Sequence, residues 1–310
     1  MCYDDMGGMN MKLHEIDTPA LVIDQDIMMK NIKDMQDYAN QYNVHLRPHT
    51  KTHKMPYIAK LQEEVGAKGI TVAKVGEAEV MAQHGLKDIF IANQIVGEQK
   101  LRRIRKLAET IQISFGIDDL VHIDQIEKVF AGANKKAQVL IEIEIGEKRS
   151  GVIEEEKFLT LLDRLKECQH VEYKGIFSHD GHTYSAESVE ACKALYLEGV
   201  ERTLSFAKLA EEKGWKDQVV SIGSTPPFML GFDIPEGVTE IRPGTYVFMD
   251  LGQGNVIGTY DKCAASVLTT VISKPTHERV ITDVGAKGIT MQTRTKGITK
   301  TKGLGYIKGF

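Results

Sequence analysis

Cysteine is scarce in this sequence, and its spacing is unpaired. Cys2, Cys168, Cys192 and Cys263 lie far apart in a chain of 310 residues. That pattern excludes a cysteine-built metal knuckle and points to reduced thiols, hence to a cytoplasmic location. Long apolar runs are also missing, which excludes a membrane-spanning helix. There is no surplus of positive charge: 39 Lys and Arg stand against 43 Asp and Glu, a formal net charge of −4. Without a basic stripe the chain has no electrostatic footing on nucleic acid. The first eight residues carry neither a basic n-region nor an apolar h-region, so no secretory leader is read. What is present is ordinary globular composition, 42% hydrophobic and 26% charged, long enough for a large core.

The hydrophobic pattern is regular. Leu21-Val22-Ile23 is a short apolar run, and Asp24 or Asp26 can cap a helix reaching about Gln41. Eight strand-like runs follow, near 44–47, 69–73, 88–92, 111–115, 138–145, 173–178, 218–222 and 238–241. Helical stretches at 55–65, 76–84, 98–109, 119–132, 154–168 and 187–213 separate most of them. Eight strands alternating with helices over about 200 residues predict an α/β fold of the (β/α)8 barrel type. A doubly wound dinucleotide fold would want G-x-G-x-x-G after its first strand, and that fingerprint is absent. After Gly244 the helical rhythm stops. Tyr246–Asp250, Ala264–Ser273 and Arg279–Asp283 read as a partial β domain. The predicted domains are an N-terminal segment, 1–20, associated with that β-rich part; a barrel, 21–245; and the β-rich part, 246–310.

The chemistry concentrates at strand ends. Arg47-Pro48-His49-Thr50-Lys51-Thr52-His53-Lys54 stands where the first strand hands over to a helix. Alone it reads as a basic loop. At the mouth of a barrel strand, however, a lysine can be desolvated and flanked by cations, which lowers its pKa toward the nucleophilic range. Lys54 is read as solvated charge, and Lys74 as an ion-pair partner of Glu77 and Glu79. Gln94 ends the third strand and Glu147-Lys148-Arg149 follows the fifth. His179-Asp180-Gly181-His182-Thr183-Tyr184 follows the sixth. Gly223-Ser224-Thr225 and Arg242-Pro243-Gly244-Thr245 follow the last two, where barrels build phosphate cradles from backbone N–H groups. A cradle facing a reactive lysine suits pyridoxal phosphate, anchored by its phosphate and held through its aldehyde. His49, His53 and His182 are the candidate bases.

Together with Gly76-Glu77-Ala78-Glu79, these motifs resemble the D-threonine aldolase / D-serine dehydratase-like family, pyridoxal-phosphate enzymes that share the alanine-racemase barrel (fold type III). The resemblance runs from about Asp17 to Lys287, with five motifs in order. It implies that Lys51 holds the cofactor's aldehyde and that Arg149 approaches the Schiff-base region. It implies that Gln94 and Tyr184 line the pocket. Gly223, Ser224 and Thr225 would bind phosphate with backbone help from Gly244 and Thr245, and Arg242 would face the pyridine nitrogen. The implied activity is a lyase acting on β-hydroxy D-amino acids, of the D-threonine aldolase type. D-serine dehydratase, an amino-acid racemase and a non-catalytic cofactor carrier are the alternatives. A homodimer is implied, and a divalent ion, Zn or Mn, held by a His-x-Cys or His-x-Asp pair near the C-terminus. No such pair follows His277, so no metal ligand is assigned and the chain is expected to be cut short.

Overall fold

The structure is a computed structural model and describes residues 11–307 except 217, 287 and 291. Its centre is an eight-stranded parallel sheet. In chain order the strands are β2 (His45–Leu46), β3 (Ile70–Val72), β4 (Asp88–Gln94), β5 (Gln112–Ile117), β6 (Ala137–Ile143), β7 (Val171–Ser178), β8 (Val219–Ile222) and β9 (Glu240–Ile241). Their spatial order is β2-β9-β8-β7-β6-β5-β4-β3, and a parallel bridge between His49 and Thr71 joins the two ends. The sheet thus closes into the predicted barrel, and all eight predicted strands are in it.

Helices wrap it: α1 (Gln25–Gln41), α2 (Pro56–Val65), α3 (Val75–Gln83), α4 (Glu98–Ala108), α5 (Leu120–Phe130), α6 (Glu155–Glu167), α7 (Val189–Glu212) and a short α8 (Pro226–Met229). Asp24 caps α1, its carboxylate accepting from the Ile27 amide. The strand residues that face the helices, such as Ile89, Ile91, Ile113, Ile141 and Ile176, form the main core with the helices' apolar sides.

The other face of each strand fills the barrel. Phe90, Leu140 and Phe177 form a small apolar layer there. Gly116 makes room for it, since a Cβ at that position would stand 2.8 Å from the Phe177 ring. Around this layer runs a polar ladder. Arg47 Nε bonds Glu240 at 2.6 Å, and the Arg47 guanidinium reaches Asp88 at 2.7 Å. Ser221 Oγ donates to the second oxygen of Glu240. Arg242 in turn donates to Ser221 Oγ at 2.6 Å and to the Ser178 carbonyl at 2.7 Å. The Arg242 guanidinium also lies against both rings, 5.8 Å from the Phe90 centroid and 5.4 Å from that of Phe177.

Three expectations are corrected. Tyr246–Asp250 is not a strand. Thr245–Val247 is a 3-10 turn and α9 (Leu251–Ile257) follows. Asp250 caps α9 by accepting from the Gln253 amide at 2.8 Å, and Gly258 ends it with φ +77°. The apolar run at 246–247 reads as strand only because both side chains are buried, and the cap signal decides against it. Lys74 is not among the described ion pairs: Glu77 pairs with Lys54 at 3.2 Å and Glu79 with Arg103. Lys54 is therefore not simply solvated charge.

The remaining strands lie outside the barrel. β1 (Ala20–Ile23) pairs antiparallel with β10 (Ala265–Leu268), and β11 (Val271–Ser273) with β12 (Ile281–Thr282). Residues 1–10, half of the predicted N-terminal segment, lie outside the described residues. No described helix is long and apolar enough to cross a membrane.

Candidate active site

The site grows from the turn after β2. Thr50 is buried and donates to the Thr71 carbonyl at 3.1 Å, while His49 Nδ1 accepts the Lys51 amide at 3.4 Å. These bonds fix a 3-10 turn, Thr50–Thr52, whose middle residue is Lys51. Lys51 as a residue is exposed, but its amine end is crowded by protein, and that end decides ionisation. Burial, then the nearby Arg149 and Arg242 cations, lower its pKa, with Glu147 and Glu77 pulling partly back.

The turn after β9 lies directly alongside. The His49 amide donates to the Pro243 carbonyl at 2.9 Å. Gly244 permits the approach, because a Cβ there would stand 3.0 Å from the His49 carbonyl oxygen. The turn after β8 completes the group. The amides of Gly244 and Thr245 both point at Thr225 Oγ1, at 3.2 and 3.3 Å. The Thr225 amide donates to the Tyr184 phenol at 3.4 Å, and Ser224 Oγ lies 3.2 Å from Thr183 Oγ1. The buried hydroxyl of Thr245 has no partner. Backbone N–H groups and hydroxyls therefore converge in a dry turn, with one hydroxyl left over. Convergent amides and hydroxyls of this kind are the groups an anion site is built from. Gly223 is needed beside it, since a Cβ there would lie 2.9 Å from the Arg242 amide.

The histidines divide. His49 stays with Lys51; burial and the Lys51 and Arg242 cations hold its pKa well below the usual range. His53 is occupied elsewhere, its Nδ1 accepting the Met55 amide at 3.0 Å and its ring set edge-on to Phe248. Burial pushes it down to about 4. His182 stacks over Gly146, with Glu144 and Glu198 as its charged neighbours, and its buried Nδ1 has no partner. Neither of these two has Lys51 among its charged neighbours.

His179, which motif reasoning passed over, does. Burial and the Lys51 and Arg149 cations push it down to about 3. Its Nδ1 bonds the Gly223 carbonyl. A carbonyl only accepts, so Nδ1 carries the proton and Nε2 keeps a free lone pair. That Nε2 faces Glu147 at 3.9 Å. The signal was readable, because His179 directly ends its strand while His182 lies a turn further on.

Carboxylates at the rim were also missed. Glu142, pointing into the barrel from β6, accepts from Gln94 and from Ser150 Oγ and lies 3.5 Å from Arg149. Gln94 also bonds Asp118 at 3.2 Å, and Arg149 lies 3.5 Å from Glu147. Asp180 is fully enclosed near Ser224 and Arg242, and neither carboxylate oxygen has a well-formed hydrogen bond. Burial pushes its pKa up to about 6. A carboxyl raised in the fold stabilises below its unfolded value and loses that contribution as pH rises through its folded value. Asp180→Asn is therefore expected to gain stability over the wild type between about pH 4 and 6. The gain builds to about 3 kcal/mol, read from urea unfolding at several pH values. Parallel profiles would refute it.

Among the described residues no group of three or more His, Cys, Asp or Glu is placed to hold a metal ion. The expected Zn or Mn therefore has no such ligand group among the described residues.

Residues 23–252 match the family described as "Alanine racemase, N-terminal domain". The chain is 33% identical over 300 residues to a D-threonine aldolase of Arthrobacter sp., spanning 95% of this chain and 78% of that one. It is 29% identical to a D-serine dehydratase of Dictyostelium discoideum, over 98% of this chain and 81% of the relative. The solved D-threo-3-hydroxyaspartate dehydratase from Delftia sp. HT23 superposes with a TM-score of 0.87 at 31% identity, covering 95% of this chain and 78% of that one. With the barrel, its rim lysine and these relatives in hand, the chain belongs to the alanine racemase N-terminal domain family and is related to its lyases of D-amino acids.

Proposed function

We propose that this protein is a pyridoxal-phosphate-dependent lyase that cleaves β-hydroxy D-amino acids, D-threonine above all, to glycine and an aldehyde. The observation that carries the reading is the pairing of a crowded, cation-flanked Lys51 amine with an anion cradle on adjoining strand ends. The residues present fit the cofactor. Thr245 offers an unpartnered buried hydroxyl, and Gly223 and Gly244 leave no side chain in the way. Gly223, Ser224, Thr225, Gly244 and Thr245 would hold its phosphate, Lys51 its aldehyde, and Arg242 would face its pyridine nitrogen. When bound, it supplies an electron sink for bond breaking at Cα.

The chain's own groups do the rest. Lys51, with its pKa lowered, presents a free amine at lower pH than an ordinary lysine. His179 Nε2 is oriented to accept the β-hydroxyl proton, and Glu147 lies within reach of that nitrogen. His49 keeps a neutral ring against the Lys51 turn. Arg149, braced by Glu142 and Glu147, suits the substrate carboxylate or the Schiff-base region. Holding the scissile bond perpendicular to the ring is the work of this rim.

Dehydration is the second reading, favoured by the likeness to the hydroxyaspartate and D-serine dehydratases. The test supplies D-threonine and D-serine, with and without Mn or Zn, and measures glycine and pyruvate. Glycine from D-threonine is expected to dominate. Predominant pyruvate would transfer the assignment to the dehydratase, and interconversion of alanine enantiomers to a racemase. Bound cofactor with no turnover of any of these would leave a carrier. A homodimer in the cytoplasm is part of the same proposal, and sedimentation would test the oligomeric state.

A further inference from the structure

The segment 292–301 folds back onto the turn that carries Tyr184. Its Ile298 amide donates to the Ala186 carbonyl at 2.7 Å, and Thr299 Oγ1 donates to the Tyr184 carbonyl at 2.7 Å. Gly297 lies flat on Ser185, where a Cβ would come within 2.5 Å of backbone. Arg294 places its guanidinium 4.3 Å from the centroid of the Tyr184 ring. The segment is closed on itself by the Thr301 amide bonding the Arg294 carbonyl at 3.0 Å. Its other side is tied to α9, through Asn255 donating to the Lys300 carbonyl and through Thr299 close to Gly252. Thr299 is buried, between the half-buried Ile298 and the exposed Lys300.

These contacts have one common object. The 3-10 turn Gly181–Ser185 ends with carbonyls that no intrahelical donor reaches. The segment supplies donors to two of them and a cation to the intervening ring. The Tyr184 phenol accepts the Thr225 amide, and Thr225 Oγ1 gathers the amides of Gly244 and Thr245. A continuous chain of contacts thus runs from Arg294 and Thr299 through Tyr184 into the cradle.

We propose that Arg294 and Thr299 are positioning residues: the 292–301 strap sets Tyr184 against the cradle and so tightens its grip on a phosphate group. This rests on the reading above that the cradle holds the cofactor's phosphate. Arg294 need not touch that phosphate; it acts through the tyrosine ring, while Thr299 acts through the tyrosine carbonyl.

The test uses 4′-deoxypyridoxine 5′-phosphate, which has the phosphate but no aldehyde for Lys51. Affinity is measured by calorimetry on the apo full-length chain. Thr299→Val and Arg294→Ala are each expected to weaken binding about three- to tenfold, the loss of one hydrogen bond or one cation–ring contact. Arg294→Lys is expected to restore part of the loss. Affinity for unphosphorylated 4′-deoxypyridoxine is expected to stay level across all four proteins. In the wild type, the phosphate ligand should slow trypsin cleavage at Arg294, Lys296 and Lys300, because coupling between two sites is reciprocal. A wild type that binds the ligand while both variants bind it equally well would overturn the strap and leave the cofactor reading standing, even if the variants melt earlier. A wild type that does not bind the ligand at all would overturn the cofactor reading, and the strap's purpose with it.

Discussion

Lys51→Ala is expected to abolish covalent attachment of pyridoxal phosphate and to lower turnover by about 10³-fold or more. Among the groups beside it, Arg149 and Arg242 carry no primary amine, and the ring nitrogens of His49 and His179 cannot form the same carbon–nitrogen double bond. The wild type loaded with cofactor is expected to absorb near the edge of the visible, and borohydride should bleach that band. The variant should lack the band while still binding the phosphorylated ligand, since its cradle is untouched. The electrostatics add a sharper expectation. Attachment to the apo protein requires the neutral amine, and Lys51 is held below the ordinary lysine value of 10.5 by burial, Arg149 and Arg242. The attachment rate should therefore rise with pH to a midpoint below that value. Arg149→Gln removes one cation and should move the midpoint upward. A variant at Lys51 that retains a borohydride-sensitive band would refute the assignment of the lysine.

The barrel was legible because parallel strands alternating with helices leave a strong trace. Each strand is apolar toward the helices, and short turns carrying Gly, Asp or Pro punctuate the rhythm. The rim lysine and the cradle were legible because they lie next to strand ends, so local sequence fixes their position. Other features were hidden because they depend on distance in three dimensions. Glu142 reads as one more charge in the alternating run Ile141–Ile145, and only closure of the barrel brings it to Gln94, Ser150 and Arg149. His179 could have been told from His182 by its place directly at the strand end, but its bond to the Gly223 carbonyl, 44 positions on, could not be read locally. The reading of 246–250 as strand failed because a short continuous apolar run, Tyr246–Met249, carries no periodicity that tells strand from helix. The Asp250 cap and Gly258 were the better guides there. The fold-back of 292–301 had no local signature, since its contacts are backbone carbonyls more than 100 positions away.

Arg47→Met is expected to cost about 3–5 kcal/mol of stability at neutral pH, the usual penalty for leaving one member of a buried ion pair uncompensated. Arg47 opens the motif that contains Lys51, yet it faces the opposite way, into the barrel floor between Glu240 and Asp88. Methionine keeps much of the apolar stem, so the loss reports the charge rather than a cavity. The pH dependence gives the sign. Burial alone would raise the Glu240 pKa, but Arg47, Ser221 and Arg242 outweigh it and hold the group below its ordinary value. A carboxylate depressed in the fold adds stability above its unfolded pKa and loses it as pH falls through the folded one. In the variant burial is expected to prevail, because Arg47, the largest opposing charge, is gone and Arg242 makes no direct bond to Glu240. The group is then raised, and its contribution is present in acid and lost as pH rises. The difference between wild type and variant should accordingly shrink toward pH 4 and widen toward pH 7, measured by denaturant unfolding at each pH. The same ladder holds Arg242 through Ser221, so if Arg242 faces the cofactor as proposed, the variant should also bind cofactor more weakly. A constant stability difference across that pH range would mean that Glu240 does not depend on Arg47 for its charge.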